Sequence, residues 1–351
     1  MIRISLRTAM ALMATTAALL LTASSWAMTP TTIWQASGGY PSGYSADGTV
    51  LYMSTPTGFQ TRRASDGVLL KTITLPAASQ AYDRSAFSPD KQFVAISLVD
   101  TNGVVKIELY SLSTGALVRT ITTDAVRNIR GLDISPNSSL IASVERFAYG
   151  GGGMLRVFRT SDGGVVSKQG PMVVNGNTFA KFSPGGTYLA VYENTLNPAA
   201  FNILRTSNWT SAEQISQNQY MIQWLGTDTT ASVWLRGNES ISIPYRQVGV
   251  PAGAVLKSVS FDDSSRSVTA VTSNSKYFLA WQIQTTDPSS PPGNTIFFLR
   301  TTDGAAQTTY TFSSTIVSSG TINPAGTNFT YAICASDGAC TTFVAQMPSL
   351  P

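Results

Sequence analysis

Residues 87–98 read FSPDKQFVAISL: an aromatic residue, a Ser-Pro-Asp turn signal, and then a run of apolar and small residues. Pro and Asp sit where a tight turn needs them, and the run that follows has the β-branched and aromatic content of a buried strand. Whether this phrase occurs once or many times decides the fold. It recurs. YSADGTVLYMS starts at Tyr44, ISPNSSLIASV at Ile134, FSPGGTYLAVY at Phe182 and INPAGTNFTYAI at Ile322. Weaker copies are WLGTDTTASVW at Trp224 and TSNSKYFLAWQ at Thr272, so successive starts lie about 42 to 50 residues apart.

A second phrase follows the copies at Tyr44, Phe87, Ile134, Phe182 and Thr272. RRASDGVLLKTI, LYSLSTGALVRTI, FRTSDGGVVSKQ, LRTSNWTSAEQI and LRTTDGAAQTTY each place a short Asp-Gly, Thr-Gly or Asn turn between two β runs. One hairpin therefore joins the first two strands of a period and another joins the last two. A period of this size made only of strands and turns predicts the four-stranded blade of a β-propeller. Seven periods predict seven antiparallel blades and an all-β protein. The last period has room for three strands before Pro351, and Thr31 to Ser37 is a β run with no blade of its own. The N-terminal segment is thus expected to supply the missing strand and close the ring, hiding both edges. FDDSSRS at Phe261 offers a different sixth start, with spacings of 37 and 61 that fall outside the others; six or eight blades are the alternatives.

Residues 1–27 carry Arg3 and Arg7, an apolar stretch from about Ala9 to Leu21, and Ser25-Trp26-Ala27. This is the pattern of a secretory signal peptide cleaved after Ala27, and its apolar core is shorter than the roughly 20 residues of a membrane span. Residues 28–351 are then one domain, periplasmic or secreted. Removing two arginines and no acid takes the net charge from +4 to +2. Lys and Arg are scattered, so nucleic acid is not an expected partner, and no membrane span follows the leader. Cys334 and Cys340 flank Ala-Ser-Asp-Gly-Ala between two β runs. In an exported chain this spacing predicts a disulfide across a hairpin. The sequons at Asn137, Asn208, Asn238 and Asn328 read as chance products of Ser/Thr richness.

The phrases FSPD, FSPGG and Arg-Thr-Ser-Asp-Gly resemble those of WD-repeat-like propellers of the bacterial envelope. That broad group includes YVTN repeats, lactonase-type propellers and the quinoprotein amine dehydrogenase β-chain-like fold. The resemblance spans nearly all of residues 28–351 and implies fold rather than activity. The Gly-His and Trp-Asp pairs of WD repeats are missing, and the chain has no His.

Without His, a Ser-His-Asp triad and His-bound metals are excluded. No calcium-loop or phosphate-loop motif is present, and no cofactor or metal is expected. Arg63, Arg159, Arg205 and Arg300 precede the second turn of their periods, with Asp66, Asp162 and Asp303 following in three; a local Arg–Asp contact accounts for this repetition. The variable face carries 146–155, 193–201 and 284–295, where binding is expected. The connections between blades offer Tyr82, Asp83, Arg84, Arg127, Arg130, Asn175, Asn177, Gln219, Tyr220, Asp262, Asp263 and Arg266 as a polar set for a small polar ligand, a glycan or a peptide end. The leading reading is a monomeric, non-catalytic scaffold for an envelope or extracellular protein, a peptide or a small polar ligand. The runner-up is a lactonase-like hydrolase using Asp83, Asp262 or Asp263 with Arg84, Arg127 or Arg266. A quinoprotein-like redox subunit stands third.

Overall fold

A computed structural model describes residues 29–75, 80–123, 126–148, 152–173, 179–193, 200–216, 219–225, 228–235, 243–250, 255–261, 266–282, 293–313, 316–335 and 339–351. The leader and Asn175, Asn177, Asp262 and Asp263 lie outside the described residues.

Numbered in chain order, β1 spans Thr32–Ser37. The first sheet holds β2 (Tyr40–Tyr44), β3 (Val50–Thr55), β4 (Gly58–Arg63) and β5 (Leu69–Thr74). The second holds β6 (Gln80–Phe87), β7 (Phe93–Val99), β8 (Val105–Ser111) and β9 (Leu117–Thr122). The third holds β10 (Val126–Ile134), β11 (Leu140–Phe147), β12 (Gly152–Arg159) and β13 (Val165–Val173). The fourth holds β14 (Phe179–Phe182), β15 (Tyr188–Glu193), β16 (Ala200–Arg205) and β17 (Ser211–Ser216). The fifth holds β18 (Gln219–Trp224), β19 (Thr230–Leu235), β20 (Ile243–Gly249) and β21 (Val255–Phe261). The sixth holds β22 (Arg266–Val271), β23 (Tyr277–Gln282), β24 (Thr295–Arg300) and β25 (Ala306–Thr311). The last runs β26 (Ile316–Ile322), β27 (Asn328–Cys334), β28 (Cys340–Gln346) and then β1, which pairs antiparallel with β28. Every described pairing is antiparallel, and no described residue is helical.

Burial explains why these segments are strands. Phe93–Val99 is buried through its five central residues, and Leu140–Phe147 likewise, because apolar partners cover both faces of each sheet. Outer strands such as Leu69–Thr74 are largely exposed. Each apolar cluster among the described residues is shared by two sheets. Tyr52, Phe59 and Ile73 meet Val94, Ile96 and Tyr110 between the first and second. Val144, Leu155 and Val157 meet Phe182, Leu189 and Val191 between the third and fourth. Trp34, Ala36 and Val344 meet Leu51 and Met53 between the last and the first.

The Ser-Pro-Asp phrase acts through its serine. Ser88 is fully buried, and its Oγ accepts the backbone N–H of Gln92 (3.0 Å) and Phe93 (2.8 Å). Ser45, Ser135, Ser183, Thr272 and Asn323 do the same work in five other sheets. A buried hydroxyl that satisfies turn amides is stabilising; left unpaired it would cost about 1–3 kcal/mol. Phe87 stacks on Tyr52 of the preceding sheet at 4.3 Å, so the phrase also sets packing between sheets. The turns are laced to each other as well: Lys91 Nζ reaches Asp47 Oδ2 (2.5 Å), Ser138 Oγ donates to Asp90 Oδ1 (2.5 Å), and Asp228 Oδ1 accepts the Gly185 N–H (2.6 Å).

The second phrase behaves as the sequence indicated. Arg63–Asp66, Arg159–Asp162 and Arg300–Asp303 are ion pairs within their own turns. Cys334 and Cys340 are disulfide-bonded register partners on β27 and β28, with Cα atoms 4.0 Å apart.

Candidate functional site

Eight of the twelve polar residues singled out in the sequence lie on innermost strands, not in connections. Tyr82, Asp83 and Arg84 are on β6, Arg127 and Arg130 on β10, Gln219 and Tyr220 on β18, and Arg266 opens β22. The difference has a physical cause. These strands carry β-bulges, between Gln80 and Arg84, Ile129 and Gly131, Met221 and Gln223, and Val268 and Ala270. A bulge breaks the period-2 alternation by which a strand is recognised, while adding twist and re-aiming a side chain. Tyr82, Asp83, Gln219, Tyr220 and Arg266 are placed by strand alone.

The structure brings Arg84 and Arg130 together. Arg130 sits in the bulge of β10, and its carbonyl accepts the Arg84 Nε–H at 2.9 Å. The Arg84 backbone N–H is held by Ser97 Oγ of the neighbouring strand at 2.9 Å. Arg127, at the start of β10, is exposed. Asn128 follows it, opposite Arg146 of β11, and the Asn128 Oδ1 is buried without a hydrogen-bond partner. Here β10 begins and β11 ends, on the face away from the Ser-Pro-Asp turns.

Beside them, Glu145 is 0 % exposed on β11, opposite Ile129. Its Oε2 takes the Arg156 Nε–H at 2.6 Å and also pairs with Arg156 Nη2, while Oε1 accepts Ser143 Oγ–H at 3.1 Å. Arg156 in turn lies over the Phe158 ring, 5.8 Å from its centroid. A buried carboxylate is tolerated when it is paired and hydrogen-bonded in this way. Sequence reasoning missed Asn128, Glu145 and Arg156, and placed Arg146 only as the start of a variable-face loop. The available signal was LIASVERF, where a Glu-Arg pair interrupts a run otherwise patterned for burial.

Asp133, further along β10, has a structural role. Its Oδ2 accepts the Phe182 N–H of the next sheet at 2.7 Å, and burial raises its carboxyl above the usual range against the opposing pull of Lys181 and backbone N–H groups. Gln223 bridges to Val271 in the same manner in the fifth sheet. Chemically, the group on β6, β10 and β11 therefore presents guanidinium donors: Arg84, Arg127, Arg130 and Arg146, next to a carboxylate engaged by Arg156. Among the described residues no group of three or more His, Cys, Asp or Glu is arranged to hold a metal ion.

No protein-family description matches the sequence, and no curated protein matches it. Solved structures do. The Cps50 (Swd1) β-propeller domain of Myceliophteria thermophila superposes with a TM-score of 0.61 at 11% identity, over 88% of this chain and 99% of that one. The fold is a β-propeller. Hydrazine synthase of Kuenenia stuttgartiensis superposes with a TM-score of 0.60, also at 11% identity, over 88% of this chain and 95% of its own. At such identity the likeness shows architecture alone. Of the described residues, none forms a helix long and apolar enough to cross a membrane.

Proposed function

We propose that this propeller is an exported, non-catalytic binding scaffold that holds an anionic ligand, such as an acidic segment of an envelope or extracellular protein, at the arginine group on its variable face. In this reading the leader is removed after Ala27. The ring has seven blades and is closed by β1 at the N-terminus, in the manner of the YVTN and lactonase-type envelope propellers. The observation that supports this site is the placement of Arg84, Arg127, Arg130 and Arg146 on the neighbouring strands β6, β10 and β11, with Arg84 Nε–H bonded to the Arg130 carbonyl. In a chain whose charged residues are only 12% of the total, that concentration stands out. Guanidinium groups offer forked donors suited to carboxylates, and like charges held close favour an anion between them.

Arg127 and Arg146 are the partners to change, since neither has a hydrogen bond that the fold requires. Titration with hexaglutamate should show binding that weakens as salt is raised. The Arg127→Glu/Arg146→Glu double variant should bind about tenfold less, at two charge contacts of about 0.2–1 kcal/mol each plus the added repulsion. Equal binding by wild type and variant would remove the arginine group from consideration. An intact mass matching 28–351 in the culture medium or periplasm tests the export.

A further inference from the structure

We propose that the groove between the third and fourth sheets, on the face of the Ser-Pro-Asp turns, is a saccharide-binding site with Trp209 as its stacking platform. It is a separate site from the arginine group and does not depend on it.

The argument starts from a register shared by the outer strands. The outer strands that follow a turn carry a bulge just after it, and the next paired residue is Lys71 in β5, Arg119 in β9, Ser167 in β13, Glu213 in β17, Lys257 in β21 and Thr308 in β25; in β1 Trp34 follows a bulge of its own. Of these, Trp34, Lys71 and Arg119 clasp the following sheet. Trp34 lies on Gly67 and donates its Nε1–H to Ala64 O at 2.8 Å. The Lys71 stem lies against Gly115. Arg119 lies against Gly163 and donates to Thr160 O (3.1 Å) and Ser161 O (2.5 Å). Ser167 is buried, and it is Gln169, two residues on, that reaches the fourth sheet. Beside that contact the third junction keeps an open depression of about 400 Å³, in the range of roughly 300–1,000 Å³ typical of small-ligand sites.

The turn that faces this opening is also altered. Where the other described turns of this kind have Gly67, Gly115, Gly163 and Gly304, with φ of 74° to 76°, the fourth sheet has Trp209 at φ 60°. A side chain in the left-handed region costs about 1–2 kcal/mol, and such residues persist where the surroundings hold them. Here Gln169 Nε2 donates to Trp209 O at 3.0 Å, and the Trp209 N–H reaches Arg205 O at 2.8 Å. The indole packs at the edge of the cluster with Leu140 and Val166 but keeps part of its surface open.

The walls set the ligand class. Trp209, Val166 and Leu140 form an apolar side; Arg159, Ser161 and Thr206 form a polar one. Asp162, tied to Arg159 through Nε and Nη2, is 54% exposed and adds a carboxylate acceptor beside the groove. An aromatic face next to a half-exposed Arg–Asp pair suits a pyranose, whose C–H face stacks and whose hydroxyls both give and accept.

The test is calorimetric titration with cellotetraose, chitotetraose and maltotetraose, with tryptophan fluorescence recorded alongside. The wild type should bind at least one of the three with a change in emission. Trp209→Gly restores the residue of the other turns and should lose about two- to tenfold in affinity, while Trp209→Phe keeps part of it. Arg159→Ala, on an exposed turn, should also weaken binding and serves if Trp209→Gly fails to fold. No binding of any of the three by the wild type overturns the proposal. So does unchanged affinity in both Trp209→Gly and Arg159→Ala.

Discussion

The junction of the last and first sheets and the junction of the third and fourth each hold a tryptophan, used in opposite ways. At the first, Trp34 comes from the outer strand and lies on a turn glycine, 8% exposed and hydrogen-bonded. At the second, the outer strand offers Ser167, and the tryptophan stands in the turn itself, in the glycine's place. The junction of the last and first sheets is filled by its tryptophan; the other is bridged by Gln169 and keeps a depression beside an aromatic residue in a costly conformation. The same scaffold position serves cohesion in one place and is free for recognition in another.

That contrast can be broken by substitution. Trp34→Ala should have the largest effect, a loss of about 3–5 kcal/mol of stability, because a buried aromatic and its hydrogen bond are both removed. Chemical denaturation followed by circular dichroism measures it, and a loss below about 1 kcal/mol would deny Trp34 its clasping role. Gly67→Ala comes next. A methyl there would sit 2.6 Å from Trp34 Cδ2 in addition to the strain of φ 75°, so about 2–4 kcal/mol is expected. Gly103→Ala, at φ 77° with nothing within 4 Å, isolates the strain alone at about 1 kcal/mol. If the two variants unfold at the same denaturant concentration, Trp34 is not packed against Gly67.

Trp209→Gly should change stability by no more than about 1 kcal/mol, since relief of strain offsets the lost edge packing. A loss as large as that of Trp34→Ala would make Trp209 a second clasp. The smallest effects belong to the turn carboxylates. Lys91 beside Asp47 and Arg159 beside Asp162 hold those acids below the usual carboxylate range, and Asp303 is held down by Arg300. Their contribution is complete above an unfolded pKa of about 4 and declines as pH falls further. Asp133, raised by burial, runs the other way and loses its contribution as pH rises through its elevated value. A melting temperature that falls in acid less steeply in Asp47→Asn than in the wild type is the expected outcome.

The β class, the four-strand period and both repeated turns could be read from the sequence because each turn repeats one piece of local chemistry. Ser88 with its two amides, or Arg159 with Asp162, is a contact within a few residues, and such contacts leave a phrase. The Cys334–Cys340 hairpin was legible for the same reason. Arg84 and Arg130 were flagged as polar candidates, but their meeting depends on a bulge and on a partner 46 residues away. The Glu145–Arg156 pair depends on the register between two strands, and LIASVERF gives only the anomaly. Trp209 stood in plain view in LRTSNWTSAEQI. Its meaning came only from the turn that aligns it with four glycines and from the Gln169 contact 40 residues away.

The most direct test of the central claim is hydrogen–deuterium exchange with and without hexaglutamate. Binding through the variable face should slow exchange at the start of β10, the end of β11 and the connections beside them, and leave the Ser-Pro-Asp turns unchanged. Protection confined to those turns, or none anywhere at saturating peptide, would contradict it.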